Sequence, residues 1–370
     1  MSNKLRVGVV FGGRSGEHEV SLNSAKSIFR EIDGSRFDPI PIGITPAGQW
    51  LLVDDDKLQQ TLAKGFSEGA GRPVHFPGNI ETKGFLLEER PGCFVPLPLD
   101  VIFPVLHGTY GEDGTVQGLF EVLAVPYVGA GVLGSAVGMD KGIMKEVFHD
   151  NDIPTPDFVI IKRRDWEKRP DAVSETLMKR FTFPMFIKPA NLGSSVGVTK
   201  VKSPADLRPA MEEAAKYDRR VIVEEGIIGR EFECAVMGND DPVASAVGEI
   251  IASNEFYDYH AKYLDGLSEG IIPADLPEAV SQEIRSLAVR VFLATDCAGL
   301  GRVDFFVRRV DNQVLVNEIN TIPGFTSISM YPQLMEAVVV SYSQLVSNLI
   351  DLALERHADR QRSFTRWDGK

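Results

Sequence analysis

Leu300–Tyr331 reads LGRVDFFVRRVDNQVLVNEINTIPGFTSISMY. Two runs of alternating residues flank Val310-Asp311-Asn312, the pattern of a two-stranded antiparallel hairpin. Side chains two apart on a strand share a face. Arg302 and Asp304 therefore share a face on the first strand, as Glu318 and Asn320 do on the second. An odd loop centred on Asp311 puts Asp304 opposite Glu318 and Arg302 opposite Asn320, in one polar cluster. The other face then carries Val303, Phe305, Val307, Leu315 and Ile319, with Asn317 as the exception. A two-residue turn at Asp311-Asn312 instead puts Asp304 and Glu318 on opposite faces.

Two carboxylates and an amide oxygen facing one point suit a hard cation such as Mg²⁺, which takes oxygen ligands and shares them with substrate phosphates. The plainer alternative is a solvated face with a surface salt bridge. The apolar opposite face, and the hydroxyl-rich loop TIPGFTSIS that follows directly, favour the metal site.

The 370 residues are 44% hydrophobic, enough for two or three cores. A formal net charge of −13 argues against nucleic acid and anionic membranes as partners. Cys93, Cys234 and Cys297 are scattered and odd in number, which gives neither a disulfide framework nor a zinc spacing and points to a reducing compartment. The N-terminal apolar run VGVVFGG is too short for a signal sequence or a membrane span.

Leu5–Phe11 reads as a buried strand. A tight turn, Gly12–Gly16, and a helix from His18 to Ile32 follow, which is the opening of a doubly wound α/β layer. The turn is not GxGxxG, so a dinucleotide-dependent oxidoreductase has only this fragment in its favour. Glu17 suits the positive end of the helix dipole; at a strand edge it can also hold a ligand ammonium. Residues 47–98 read as an insertion, with short strands at Trp50–Val53 and Gly84–Leu87 and a glycine-rich loop from Ala63 to Pro77. His107 opens the loop HGTYGEDG after a buried strand, Asp100–Leu106. A helix is expected over Ser135–His149. Strand Pro184–Pro189 carries Lys188 into ANLGSSVGV, whose glycines, Ser194 and Ser195 have the chemistry of a phosphate cradle, though not the order of a P-loop. Arg220–Phe232 reads as strand, hinge, strand, able to present backbone groups to an adenine and a carboxylate to a ribose. NEFYDYHAKYLDGL, residues 254–267, reads as a surface loop that can close over a ligand. Helices are expected over Leu276–Ala294 and Leu334–Arg356.

In this order, Lys141, Lys188-Pro189, GSSVG, Glu224 to Glu231 and the hairpin resemble the ATP-grasp ligases. FGGRSGEHEVSLNSA, LHGTYGEDGTVQG, EFYDYHAKY and NEINTIPGFTSISMYP narrow the resemblance to the D-alanine–D-alanine ligase family, over nearly the whole chain. It implies an α/β protein: an N-terminal doubly wound parallel domain (1–130, with the insertion 47–98), then a two-lobed ATP-grasp domain (131–224 and 225–370). It implies ATP-dependent joining of two D-alanines through a D-alanyl phosphate, for peptidoglycan synthesis. The alternative is a D-alanine–D-lactate ligase or another carboxylate–amine ligase of the superfamily.

The implied site residues follow. Lys141, Lys188, Ser194 and Ser195 match the phosphate ligands; Glu224, Glu225 and Ile227 match the adenine hinge; Glu231 matches the ribose acid. Phe256, Lys262, Phe306 and Asn317 complete the nucleotide site. Asp304, Glu318 and Asn320 match the ligands of two Mg²⁺, replaceable by Mn²⁺, and K⁺ is a further implied cation. Glu17, with His107 nearby, matches the group that holds the first D-alanine. Arg302 and Gly324 match the oxyanion stabilisers, and Ser329 and Met330 match the receiver of the second carboxylate. Tyr263 is expected to reach Glu17 through Ser194. A cytoplasmic homodimer is the implied setting.

Overall fold

The computed structural model describes residues 4–193, 195–251 and 269–364. Leu5–Gly12 pairs in parallel with Phe37–Ile44 on one side and Val101–Val105 on the other. Val7, Val9 and Phe11 enter one apolar cluster and Val10 another. The strand is thus covered on both faces, which is why its run is apolar without alternation. The sheet is mixed rather than parallel throughout. Residues of the insertion extend it with antiparallel strands Trp50–Val53, Gly71–His75, Gly84–Arg90 and Cys93–Pro98. The stretch Ala63–Pro77, expected as loop, therefore contains a strand, because backbone partners on both sides outweigh its glycines. Helix His18–Glu31 and the C-terminal helix Tyr342–Arg360 both send residues into this core, among them Ala25, Ile28, Leu345 and Leu349.

A second, antiparallel sheet runs Thr199–Val201, Met185–Pro189, Arg220–Glu225, Phe158–Lys162. A third runs Glu269–Ile271, Val243–Ile251, Gly229–Gly238, Gly299–Arg308, Val314–Asn320. The expected hinge is thus the passage from the second sheet to the third. Helix Glu278–Ala294 covers one face of the third sheet, packing Ile284, Leu287, Val291 and Phe292 against Phe232, Val303, Phe305, Val316 and Ile319. Burial of each such side chain contributes about 1.5–3 kcal/mol. The opposite face packs Ala235, Met237 and Leu300 into the core of the first sheet and carries most of its polar residues beyond them.

Two expected helices are broken. Ser135–His149 is instead the pair Val132–Met139 and Lys141–Asp150, divided at Asp140. The Asp140 carboxylate accepts from the N–H groups of Gly142 and Ile143 and so caps the second helix; it also pairs with Arg220 at 2.7 Å. Leu334–Arg356 is Met330–Glu336 followed by Tyr342–Arg360, the latter capped by Ser341.

Candidate active site

In the hairpin, Arg302 lies opposite Asn320 and Asp304 opposite Glu318. The loop is not the odd one expected. Arg308 and Gln313 bracket a four-residue turn, with Val307 opposite Val314. That even register would set Asp304 against Asn317. A bulge between the Asp304–Glu318 and Phe305–Val316 pairs absorbs Asn317 and restores the facing carboxylates. The bulge also corrects the apolar face, which carries Val314 and Val316 rather than Leu315. Leu315 pairs with Phe306, and Phe306 with Glu231; Asp304 pairs with Glu233. One face of three adjacent strands therefore gathers Glu231, Glu233, Arg302, Asp304, Phe306, Leu315, Glu318 and Asn320.

Arg302 is held from two sides. Its Nε and Nη2 donate to the two oxygens of Asp304, each at 2.7 Å, and Nε lies 3.1 Å from Glu233 Oε2. Asn320 Nδ2 donates to Asp304 Oδ2 at 3.0 Å, so its amide oxygen is its remaining ligating atom. Lys141 Nζ lies 3.2 Å from Glu318 Oε2 and donates to the Leu192 carbonyl at 3.1 Å, tying the hairpin to the glycine-rich loop. Two carboxylates and an amide form an all-oxygen donor set, which fits Mg²⁺ or Mn²⁺ completed by water and phosphate. Among the described residues no group of three or more acidic, His or Cys side chains is placed to hold a metal without such help.

A triad lies beside this cluster. Glu224, 3% exposed, has Lys188 Nζ at 2.6 Å from Oε2 and Lys145 Nζ at 3.3 Å from Oε1. Burial works against its ionised form, but the two lysines outweigh it and hold the carboxyl down at about 2. Burial also opposes the charge on Lys188; Glu224 and then Glu318 outweigh it and push that lysine up. Glu225 accepts from the Asp157 N–H at 2.9 Å, and Ile227 is half-buried in the hinge.

Glu17 precedes helix His18–Glu31 and is 8% exposed. It sits against bare backbone: a methyl group on Gly108 would collide with Glu17 Oε2, and one on Gly193 would lie 3.2 Å from it. The structure thus brings the first glycine turn, the HGTYGEDG loop and the phosphate-type loop to one carboxylate. His107 Nδ1 bonds the Ile322 carbonyl and Nε2 bonds Ser24 Oγ, both at 3.0 Å. Its ring joins the loop at 107–114 to the loop at 321–329. Burial disfavours its charge, yet Glu112 at 3.6 Å, with Glu17, pushes its pKa up. Ser329 Oγ accepts from the Thr326 N–H at 3.0 Å and lies against Gly324. The Met330 side chain packs on Gly248 and Gly270, so only its backbone is offered to this loop. Ser195 has φ +58 in the glycine-rich loop. Ser194, Phe256, Lys262 and Tyr263, with the expected closing loop 254–267, lie outside the described residues.

Lys145, Glu112 and Glu233 belong to these clusters and were missed by sequence reasoning. Glu233 had a signal: it alternates with Glu231 on one strand.

Family models described as D-ala D-ala ligase N-terminus and D-ala D-ala ligase C-terminus match residues 6–130 and 147–351. The chain belongs to the D-alanine–D-alanine ligase family. A D-alanine–D-alanine ligase of Acetivibrio thermocellus is 49% identical over 98% of this chain and 100% of its own. The solved D-alanine–D-alanine ligase of Coxiella burnetii is 39% identical, with a TM-score of 0.85 over 98% of this chain and 97% of its own. The VanG D-Ala:D-Ser ligase of Enterococcus faecalis is also 39% identical, with a TM-score of 0.83 over 95% and 100%.

Proposed function

We propose that this chain joins two D-alanines into D-alanyl-D-alanine, converting ATP to ADP and phosphate, for peptidoglycan precursor synthesis in the cytoplasm. The observation that carries the proposal is that the glycine-rich loop meets Glu17 at Gly193 and Lys141 at Leu192, while Lys141 pairs with Glu318 opposite Asp304. The Glu17 side of that loop suits an ammonium and the Lys141 side suits phosphates.

Glu17 holds the ammonium of the first D-alanine, with His107 fixing the loops around it. A carboxylate oxygen of that substrate attacks the γ-phosphorus and ADP leaves. Lys141, Lys188, Ser194 and Ser195 bind the phosphoryl oxygens as they gain charge. Glu224, Glu225, Ile227, Phe256, Phe306 and Asn317 surround the adenine end, and Glu231 takes the ribose. Asp304, Glu318 and Asn320 would hold two Mg²⁺, which supply positive charge at the transferring phosphoryl group. The amine of the second D-alanine, its carboxylate received at Ser329 and Met330, attacks the acyl carbon. Arg302, steadied by Glu233 and Asp304, and the Gly324 N–H stabilise the oxyanion; phosphate and a proton leave. An acyl phosphate hydrolyses in open water, so residues 254–267 close the site, Lys262 over the nucleotide and Tyr263 toward Glu17 through Ser194. We assign 1–130 to substrate binding and 131–224 and 225–370 to the two nucleotide-binding lobes, in a homodimer activated by K⁺.

The likeness to a D-Ala:D-Ser ligase makes the acceptor the point to test. Purified protein, ATP and Mg²⁺ are given D-alanine, L-alanine, or D-alanine with D-serine or D-lactate, and products are weighed by mass spectrometry. D-alanyl-D-alanine as the main product in every D-alanine mixture supports the proposal. D-alanyl-D-serine or the D-lactate ester as the main product overturns the acceptor.

A further inference from the structure

Lys145 is a buried cation to which the reaction above gives no task. It follows Lys141 by one turn on helix Lys141–Asp150 and is 1% exposed. Its Nζ donates to Thr155 Oγ1 at 2.8 Å, and that hydroxyl spends its own proton on the Val316 carbonyl, also at 2.8 Å. On its other side lies Glu224, which already has Lys188 as a partner. One carboxylate needs one counter-ion, and a second buried ammonium is costly to desolvate. The two lysines differ in access. The Lys188 side chain is 12% exposed and that of Lys145 1%, so Lys188 can turn toward a ligand and Lys145 cannot.

We propose that Lys145 is a positioning residue for nucleotide binding: a fixed counter-ion that keeps Glu224 ionised while Lys188 is given up to the phosphates. Without it, drawing Lys188 away would leave a bare carboxylate in the protein interior, and Glu224 would have to take up a proton. The inference rests on the reading of Lys188 as a phosphate ligand. Burial pushes Lys145 below the usual lysine range; Glu224 and, further off, Glu318 pull it back, while Lys188 repels it. Glu231 and Glu318 act on Lys188.

The test is calorimetric binding of Mg²⁺ and a non-hydrolysable ATP analogue between pH 7 and 8, in buffers of different ionisation enthalpy, which counts protons exchanged. Lys145→Met should take up about one proton more per nucleotide than the parent. Its affinity should fall roughly tenfold more than the parent's per pH unit, because one extra proton is taken up per nucleotide and a stripped buried glutamate titrates at about 8–9. The loss should deepen as pH rises. The double variant Lys145→Met/Glu224→Gln should show no extra proton and bind at least as tightly as Glu224→Gln alone, since a neutral amide needs no counter-ion. That comparison also serves if Lys145→Met alone fails to fold. Parental proton count and affinity in Lys145→Met, or weaker binding in the double variant than in Glu224→Gln, would overturn the proposal. Lys188→Met separates the two ideas: parental affinity there removes the phosphate role of Lys188 whatever Lys145 does.

Discussion

Gly108→Ala should damage the binding of the first D-alanine and leave the nucleotide alone. Gly108 has φ +74, where a residue with a Cβ is strained by about 1–2 kcal/mol. The added methyl group would also meet Glu17 Oε2, so the carboxylate must move out of the place that Gly108 leaves for it. A charge-assisted hydrogen bond to a substrate ammonium is worth about 1.5–3 kcal/mol, which converts to roughly a 10- to 150-fold loss of kcat/KM for D-alanine. Steady-state kinetics with D-alanine varied at saturating ATP, and calorimetry with an ATP analogue, read the two halves of the site separately. Gly118→Ala, in helix Thr115–Val122, is the control: its methyl group would have no neighbour within 4 Å, and helix propensity favours Ala by about 0.5–1 kcal/mol. Unchanged D-alanine kinetics in Gly108→Ala would refute the placement of Glu17.

Three further outcomes follow from the same geometry. Glu318→Gln takes a charge from the oxygen cluster and a partner from Lys141, and should cut turnover roughly a hundredfold or more; near-parental rates at limiting Mg²⁺ would remove Glu318 from the metal site. The folded-state pKa of Glu224 is depressed to about 2, so its stabilisation, about 3 kcal/mol, is complete above pH ~4.5 and lost as pH falls toward ~2. Denaturation across that window should steepen for the parent relative to Glu224→Gln, and parallel curves would count against the triad. Tyr263→Phe should lower kcat more than ATP affinity, and unchanged kinetics would remove Tyr263 from the mechanism.

The hairpin was legible because burial on one face imposes alternation. Its register was reached with the wrong turn. An even loop and a bulge at Asn317 cancel each other, and the traces of this in the sequence are the apolar triplet Val314-Leu315-Val316 that breaks the alternation and Asn317 itself, the polar exception on the expected apolar face. The helix break at Asp140 was hidden for a similar reason: an aspartate inside an apolar-periodic run reads equally as an exposed helical residue or a cap. Lys145 was not legible, and Glu233 was legible only as a residue sharing a face with Glu231, because what each does comes from partners distant in sequence, Glu224 and Arg302. A periodic pattern says which face a residue takes, but not what meets it there. Glu17, by contrast, was placed correctly at a helix start, and the glycines that make room for it were visible as the turns around it.

The central claim is transfer of a D-alanine carboxylate oxygen to phosphate on the way to a dipeptide. The direct measurement uses D-alanine labelled with ¹⁸O in its carboxylate, unlabelled water, ATP and Mg²⁺, with phosphate and peptide analysed by mass. The account predicts one labelled oxygen in each phosphate released, and D-alanyl-D-alanine in equal amount. Unlabelled phosphate, or labelled phosphate without dipeptide, would contradict it.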